Sequence, residues 1–302
     1  MHILIAGATG LVGSELVGIC HEKDITVHYL TTSKAKIKDF NNYKGFYWDP
    51  KTGTIDPKAF ENVTAVINLA GMPVSNRWTA ANKKEIYDSR IDGANLIFET
   101  LSKHPNLVTQ YISASAIGIY PPSRTALYTE DSEMVDDSFL GKVVQDWEAA
   151  ANQFKKLDMR VATIRTGVVL DANEGAFPKL VKPIKMGVGS PLGSGKQWMS
   201  WIHVKDVAEV YMHCLRHGTE GIINAVAPSP VTNTYMTKRI AEQLNKELWA
   251  PKVPSFVLRI VLGEMSTLAL DGQLVHSNRL KEQGFEFQFI NVESAIKDLL
   301  AE

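Results

Sequence analysis

Cysteine is nearly absent from this chain: Cys20 and Cys214 are the only two in 302 residues, far apart and without a Cys-x-x-Cys spacing. A disulfide framework and a structural zinc site are therefore not expected, and both thiols read as small core residues in a reducing compartment. No His, Cys or carboxylate spacing suggests a metal centre either. Excess charge is also missing, because 32 Lys and Arg against 33 Asp and Glu leave a formal charge of −1. With no Lys/Arg run in addition, nucleic acid is not an expected partner. Long apolar runs are lacking too. The most apolar late stretch, "FVLRIVLGEMSTLAL", is interrupted by Arg259 and Glu264, so no membrane span or membrane partner is expected. The opening "MH" passes straight into "ILIAG" without a charged segment or cleavage site, and a cytoplasmic location is the expectation. Repeats and low-complexity segments are not visible, and a chain this long can bury a full core.

What is present is alternation. Apolar, β-rich runs alternate with helical patterns through the first two-thirds of the chain, which predicts an α/β fold: a Rossmann-type, doubly wound parallel sheet with crossover helices. The predicted strands are His2–Ala6, Thr26–Thr31, Ala65–Ala70, Tyr111–Ser115 and Val161–Gly167. "AVINLA" is apolar almost throughout, as a strand covered on both faces should be. Helices are predicted over Leu11–Cys20, Thr79–Leu101 and Ser138–Lys156, with Thr79 as an N-cap. Beyond about Gly187 the pattern changes to a Gly-rich loop, "GVGSPLGSGKQW", and then to mostly helical segments, with Pro251 and Pro254 marking a joint. The expected organisation is a nucleotide-binding domain over 1–220 and a smaller, mostly helical C-terminal lobe over 221–302.

"ILIAGATGLVGSELV" sets Gly7, Gly10 and Gly13 between the opening strand and the first helix. Gly7 permits a tight turn, Gly10 a close approach of backbone N–H groups to a pyrophosphate, and Gly13 close packing of helix on strand. The loop residues Gly7, Thr9, Gly10, Leu11, Val12 and Gly13 are thus the candidate dinucleotide cradle. A nicotinamide dinucleotide without a 2′-phosphate calls for a carboxylate after the second strand. Here that strand runs into "LTTSKAK", which has none. Thr31, Thr32 and Ser33 offer hydrogen bonds to a 2′-phosphate and Lys34 or Lys36 positive charge, so NADP(H) is favoured over NAD(H). The alternative is a solvated basic turn.

The motifs "INLAG", "RWTAANKKEIYDSRID", "SASAIGIY", "DWEAAA", "RTGVVL", "GSPLGSGKQWMSWIHVKD", "APSPVTN" and "LGEMSTLALDGQLVHSNRLKEQGF" occur in this order. Over essentially the whole chain they resemble the atypical epimerase-like family of the extended short-chain dehydrogenase/reductase superfamily. That family carries a C-terminal domain of unknown function, which would fall at about 249–296. The resemblance implies that Leu69, Ala70 and Gly71 pass beside the cofactor, and that Glu85, Arg90 and Val169 line its pocket. It also implies an Arg where this chain has Thr32, which weakens 2′-phosphate recognition.

The same resemblance exposes a gap. Superfamily members transfer a proton through a Tyr and hold it with a Lys four residues on, so that both share one helix face. Anchored on Glu148, those positions are Leu140 and Val144; shifted by one residue they are Phe139 and Val143. Neither register supplies the pair. Ser115 falls where the family keeps a hydroxyl, with a buried structural Ser as the alternative. Tyr120 in "GIYPP" is a candidate displaced acid or a Tyr packed against Pro121. Arg90 is expected to grip a phosphate or a substrate carboxylate. Trp78, Lys196 and Gln197 are candidate substrate contacts, with packing as the alternative for Trp78. The Gly-rich loop is no triphosphate loop, since Gln197 stands where a Mg²⁺-binding Ser or Thr is needed. Two functions remain open: an NADP(H)-dependent oxidoreductase or sugar-nucleotide-type epimerase, and an NADP(H)-sensing protein without turnover. A small-molecule substrate or effector is the expected partner, with monomer and homodimer both open.

Overall fold

The computed structural model describes residues 1–301. Seven parallel strands run through its centre: His2–Ala6 (β1), Thr26–Thr31 (β2), Tyr43–Asp49 (β3), Ala65–Asn68 (β4), Gln110–Ala116 (β5), Arg160–Thr166 (β6) and Gly221–Ala225 (β7). Their spatial order is β7-β6-β5-β4-β1-β2-β3, so the chain reverses direction between β1 and β4. In such sheets the ligand crevice opens beyond the C-terminal ends of the strands at that reversal. Two-residue antiparallel strands, Asp39–Phe40 and Thr54–Ile55, finish the β3 edge. The last strand, β7, lies beyond residue 220, so the sheet borrows from the stretch assigned by sequence to the C-terminal lobe.

The apolar strands follow from double coverage. Ile3 and Ile5 of β1 point into one core with Leu16 of Leu11–Glu22 (α1) and Val207 and Tyr211 of Val204–His217 (α5). Leu4 and Ala6 point into the opposite core with Ile97 and Leu101 of Ala80–Lys103 (α2) and Ala151 of Phe139–Asn152 (α3). Each such large aliphatic side chain contributes about 1.5–3 kcal/mol when fully buried. Thr79 caps α2 by accepting from Asn82 N–H at 3.2 Å, and Ser138 caps α3 by accepting from Gly141 N–H at 3.3 Å. Both cysteines are free and buried, and burial pushes each thiol up to about 12.

A second body is built on a third core. Phe177–Lys185 (α4) and Asn233–Gln243 (α6) pack around Trp201 and Leu170, closed by the C-terminal helix. Between them runs a strap made of Ser255–Leu262 (α7) and Thr267–Leu270 (α8), followed by Asn278–Glu282 (α9) and Val292–Ala301 (α10). None of the eight α7 residues is buried, although six are Phe, Val, Leu or Ile. No helix among the described residues is long and apolar enough to cross a membrane.

Candidate functional site

The first side of the crevice is made of backbone. Gly7 adopts φ +86°, a conformation open to glycine, and turns the chain sharply off β1. A Cβ on Gly13 would lie 2.1 Å from the Gly7 carbonyl oxygen, so only glycine lets α1 start this close to the strand. Gly10 is the N-cap of α1 and no side chain caps it, so the first-turn amides at Leu11, Val12 and Gly13 face outward without an intrahelical partner. Such amides, with the positive end of the helix dipole, suit a pyrophosphate. Across the reversal, Asn68 accepts from the Ala70 N–H at 3.1 Å and donates to the Tyr111 hydroxyl at 2.8 Å. This holds Leu69, Ala70 and Gly71 against the turn, so closely that a Cβ on Gly7 would meet the Leu69 carbonyl carbon at 2.9 Å. Val169 comes from the far side: its carbonyl oxygen and the Leu11 side chain flank the same point at Gly175. Thr9 is exposed at the turn.

At the end of β2, Thr31 is buried and its hydroxyl accepts from the Ser33 N–H at 3.2 Å. Its role is to shape the turn, while Thr32 is exposed and Ser33 half-buried. Lys34 lies 5.1 Å from the Tyr47 ring centroid, and no carboxylate occurs between Thr31 and Lys38. The Glu85 carboxylate is ion-paired with Lys51 at the surface beside Thr52–Thr54.

At the end of β5, where the sequence reading expects the chemistry, the polar side chains are bonded to one another. Ser115, at the end of β5, donates to Glu148 Oε1 of α3 at 2.6 Å. Arg165 of β6 grips the same carboxylate with two hydrogen bonds of 2.8 Å, through Nε to Oε1 and Nη2 to Oε2. Its Nη1 donates to the Tyr120 hydroxyl at 2.9 Å. Burial alone would lower the Arg165 pKa, but the Glu148 carboxylate more than offsets this and holds it above the ordinary value. Tyr120 is fully buried; its hydroxyl also lies 2.9 Å from Asn224 Oδ1 and 3.0 Å from the Thr129 carbonyl oxygen, and burial raises its pKa. The Tyr120 phenol is thus engaged inside the protein by Arg165, Asn224 and Thr129, which favours the packed alternative over a displaced acid.

Arg90 differs. It is 9% exposed, its Nη1 donates to the Ile86 and Met72 carbonyl oxygens at 2.7 and 3.1 Å, and it pairs with no carboxylate among the described residues. Its guanidinium lies over the Trp147 ring at 4.9 Å and against Gly71, where an added Cβ would sit 3.1 Å from Cζ. Burial pushes it down to about 10, which marks a charge short of a counter-ion. Trp147 Nε1, in the same place, is buried without a partner.

Residues 3–226 match the NAD dependent epimerase/dehydratase family, and residues 253–299 match a domain of unknown function, DUF1731. The chain belongs to the NAD dependent epimerase/dehydratase family. Likeness to its relatives runs end to end. The chloroplastic SDR39U1 homolog of Arabidopsis thaliana, an epimerase family protein, is 37% identical over 99% of this chain and 87% of that one. Epimerase family protein SERP0438 of Staphylococcus epidermidis is 36% identical over 98% of both chains. Human epimerase family protein SDR39U1, solved with NADPH, superposes with a TM-score of 0.86 at 28% identity and covers 100% of both.

Within this family frame the remaining predicted contacts divide. Trp78 lies at the start of α2, its indole N–H donating to the Val74 carbonyl oxygen at 2.9 Å, and meets Phe139 edge-on. Lys196 is exposed on the Gly-rich loop. Gln197, expected as a substrate contact, is 4% exposed and donates to the Leu192 and Ala269 carbonyl oxygens at 3.0 and 2.8 Å. It fastens the loop to the end of the strap, with both amide hydrogens used in doing so. His203 is fully buried, stacked on Phe289 at 3.9 Å, and burial pushes it down to about 4. Among the described residues no group of His, Cys, Asp or Glu side chains is arranged to hold a metal.

Glu148, Arg165 and Asn68 were not singled out from sequence as a site. One signal did exist: a charged Arg165 inside the apolar strand "VATIRTG" needs a buried carboxylate partner. The side chains of Lys83 and Glu264 pair across 181 positions of sequence, and no local pattern announces that.

Proposed function

We propose that this family member binds NADP(H) and acts as an oxidoreductase or sugar-nucleotide-type epimerase on a small polar substrate, without a Tyr–Lys pair. The observation that carries the reading is the turn from Gly7 to Gly13, whose close approaches leave first-turn amides of α1 pointing out of the sheet. A nicotinamide bound there supplies hydride transfer. The lack of a carboxylate after β2 and the presence of Thr32, Ser33 and Lys34 favour a 2′-phosphate, and the NADPH bound by the human relative supports that choice. Arg90 takes over the charge that the missing Lys would provide, close to the backbone at Gly71. Ser115 positions the substrate oxygen, its own proton directed to Glu148 so that a lone pair is left to accept.

Calorimetric titration with NADPH and NADH tests this reading. Micromolar NADPH binding, at least about tenfold tighter than NADH, is expected. Absence of heat with both sinks it. Turnover is tested by NADPH consumption across metabolite pools, with Ser115→Ala expected to remove it.

One observation favours the second reading, an NADP(H) sensor without turnover: both candidate hydroxyls, Ser115 and Tyr120, are already engaged inside the protein. NADPH binding with no consumption over a broad screen selects the sensor.

A further inference from the structure

Four side chains from three separate segments meet beside the first turn of α3. Trp78 stands edge-on to Phe139, ring centroids 5.3 Å apart. The Lys83 ammonium of α2 lies 5.1 Å from the Phe139 centroid and 6.0 Å from that of Trp78, an attractive position for a cation. Its carboxylate partner is Glu264, on the turn between α7 and α8. Phe139 is one of the two residues at the place of the missing phenol, so this ammonium stands beside the expected reaction centre.

The partners are held unequally. Lys83 is 26% exposed and braced by two rings, one of them pinned to backbone. Glu264 is 67% exposed and rides on a strap whose main helix buries nothing. Exposed ion pairs add little net stability, so exchanging this carboxylate for another costs little. A tethered carboxylate nevertheless competes at millimolar effective concentration, and a simple anion gains nothing over it. A ligand that also packs an aromatic ring against the Trp78–Phe139 pair does gain.

We infer that Lys83 is the anion anchor of the substrate site, that Glu264 fills it when no substrate is bound, and that the ligand class is a flat ring bearing a carboxylate. The inference rests on the nucleotide reading for calling this the substrate site, and the binding itself is testable without cofactor. Benzoate is the probe and acetate the ring-free control, titrated calorimetrically into the wild type, Lys83→Arg, Lys83→Met and Glu264→Gln. Removing the resident carboxylate in Glu264→Gln is expected to tighten benzoate about tenfold. Lys83→Met is expected to weaken it about tenfold or more, Lys83→Arg to stay near wild type, and acetate to bind at least about tenfold more weakly than benzoate. General electrostatics would shift benzoate and acetate alike, so it is the preference for benzoate that marks a site rather than a surface charge. The inference is overturned if Glu264→Gln binds benzoate no tighter than wild type, if folded Lys83→Met binds like wild type, or if acetate matches benzoate. Should Lys83→Met fail to fold, the Glu264→Gln result alone decides. NADPH titrated into the same proteins separates the two readings, since its failure sinks the nucleotide site and leaves the benzoate result standing.

Discussion

The two ends of the crevice are built by opposite means. At the phosphate turn the important feature is space: glycines at 7 and 13 let backbone approach backbone, and free amides are left over. At the end of β5 the important feature is occupancy: Ser115, Glu148, Arg165 and Tyr120 satisfy one another. A ligand site made of backbone survives changes of side chain nearby, whereas a reactive site made of side chains is lost once they turn to each other. This is how backbone open to a nucleotide can stand beside a helix that carries Phe139, Leu140, Val143 and Val144 on its first two turns.

The largest test of that contrast removes one member of the buried pair. Arg165→Met leaves the Glu148 carboxylate uncompensated and is expected to cost about 4 kcal/mol in chemical denaturation, with the double replacement Arg165→Met/Glu148→Met recovering much of it. If the single variant is neutral, the end of β5 is not the locked network described. A group outside both arrangements gives a second test. His203 is held neutral by burial, its folded pKa of about 4 lying below the usual 6.5. Stability from this group is therefore complete above about pH 6.5 and is lost as pH falls toward 4, by about 3 kcal/mol. His203→Phe should flatten that part of the pH–stability curve.

A smaller effect is expected at the phosphate turn. Gly13→Ala forces a Cβ onto the Gly7 carbonyl and should cost about 2 kcal/mol while abolishing measurable NADPH binding. Retained binding would mean that the turn is not the nucleotide cradle. The smallest effect sharpens cofactor choice. Thr32→Asp sets a carboxylate at the exposed end of β2 and should weaken NADPH about tenfold, near 1.4 kcal/mol, while leaving or improving NADH.

The contrast also explains what sequence could tell. Glycine spacing after an apolar strand is a local pattern, so the turn, α1 and the five strands predicted around it all appear where expected, with ends shifted by a residue or two. Strand β3, "YKGFYWD", is not among the predicted strands, and it carries a glycine, Gly45, in its interior. In the fold that glycine makes room for the Tyr29 ring, whose hydroxyl would lie 2.5 Å from an added Cβ. Strand β7 is not predicted either and falls in the stretch given to the lobe, its partner β6 lying some sixty positions earlier. The Arg90 charge was readable from its place in "DSRIDG", but not its isolation, which depends on which carboxylates the fold keeps away. For Tyr120 and Gln197 the limit is the same: their polarity shows in the sequence, while partners that engage it lie 104 and 72 positions distant.

The strap has a mechanical consequence. Gly193 N–H bonds to the Val253 carbonyl at one end, and Gln197 to that of Ala269 at the other, both on the same loop. A segment moored twice to a single loop has little freedom to swing away. Phe256 and Ile260 stay on its outward side, while Leu258 and Leu262 are half-covered.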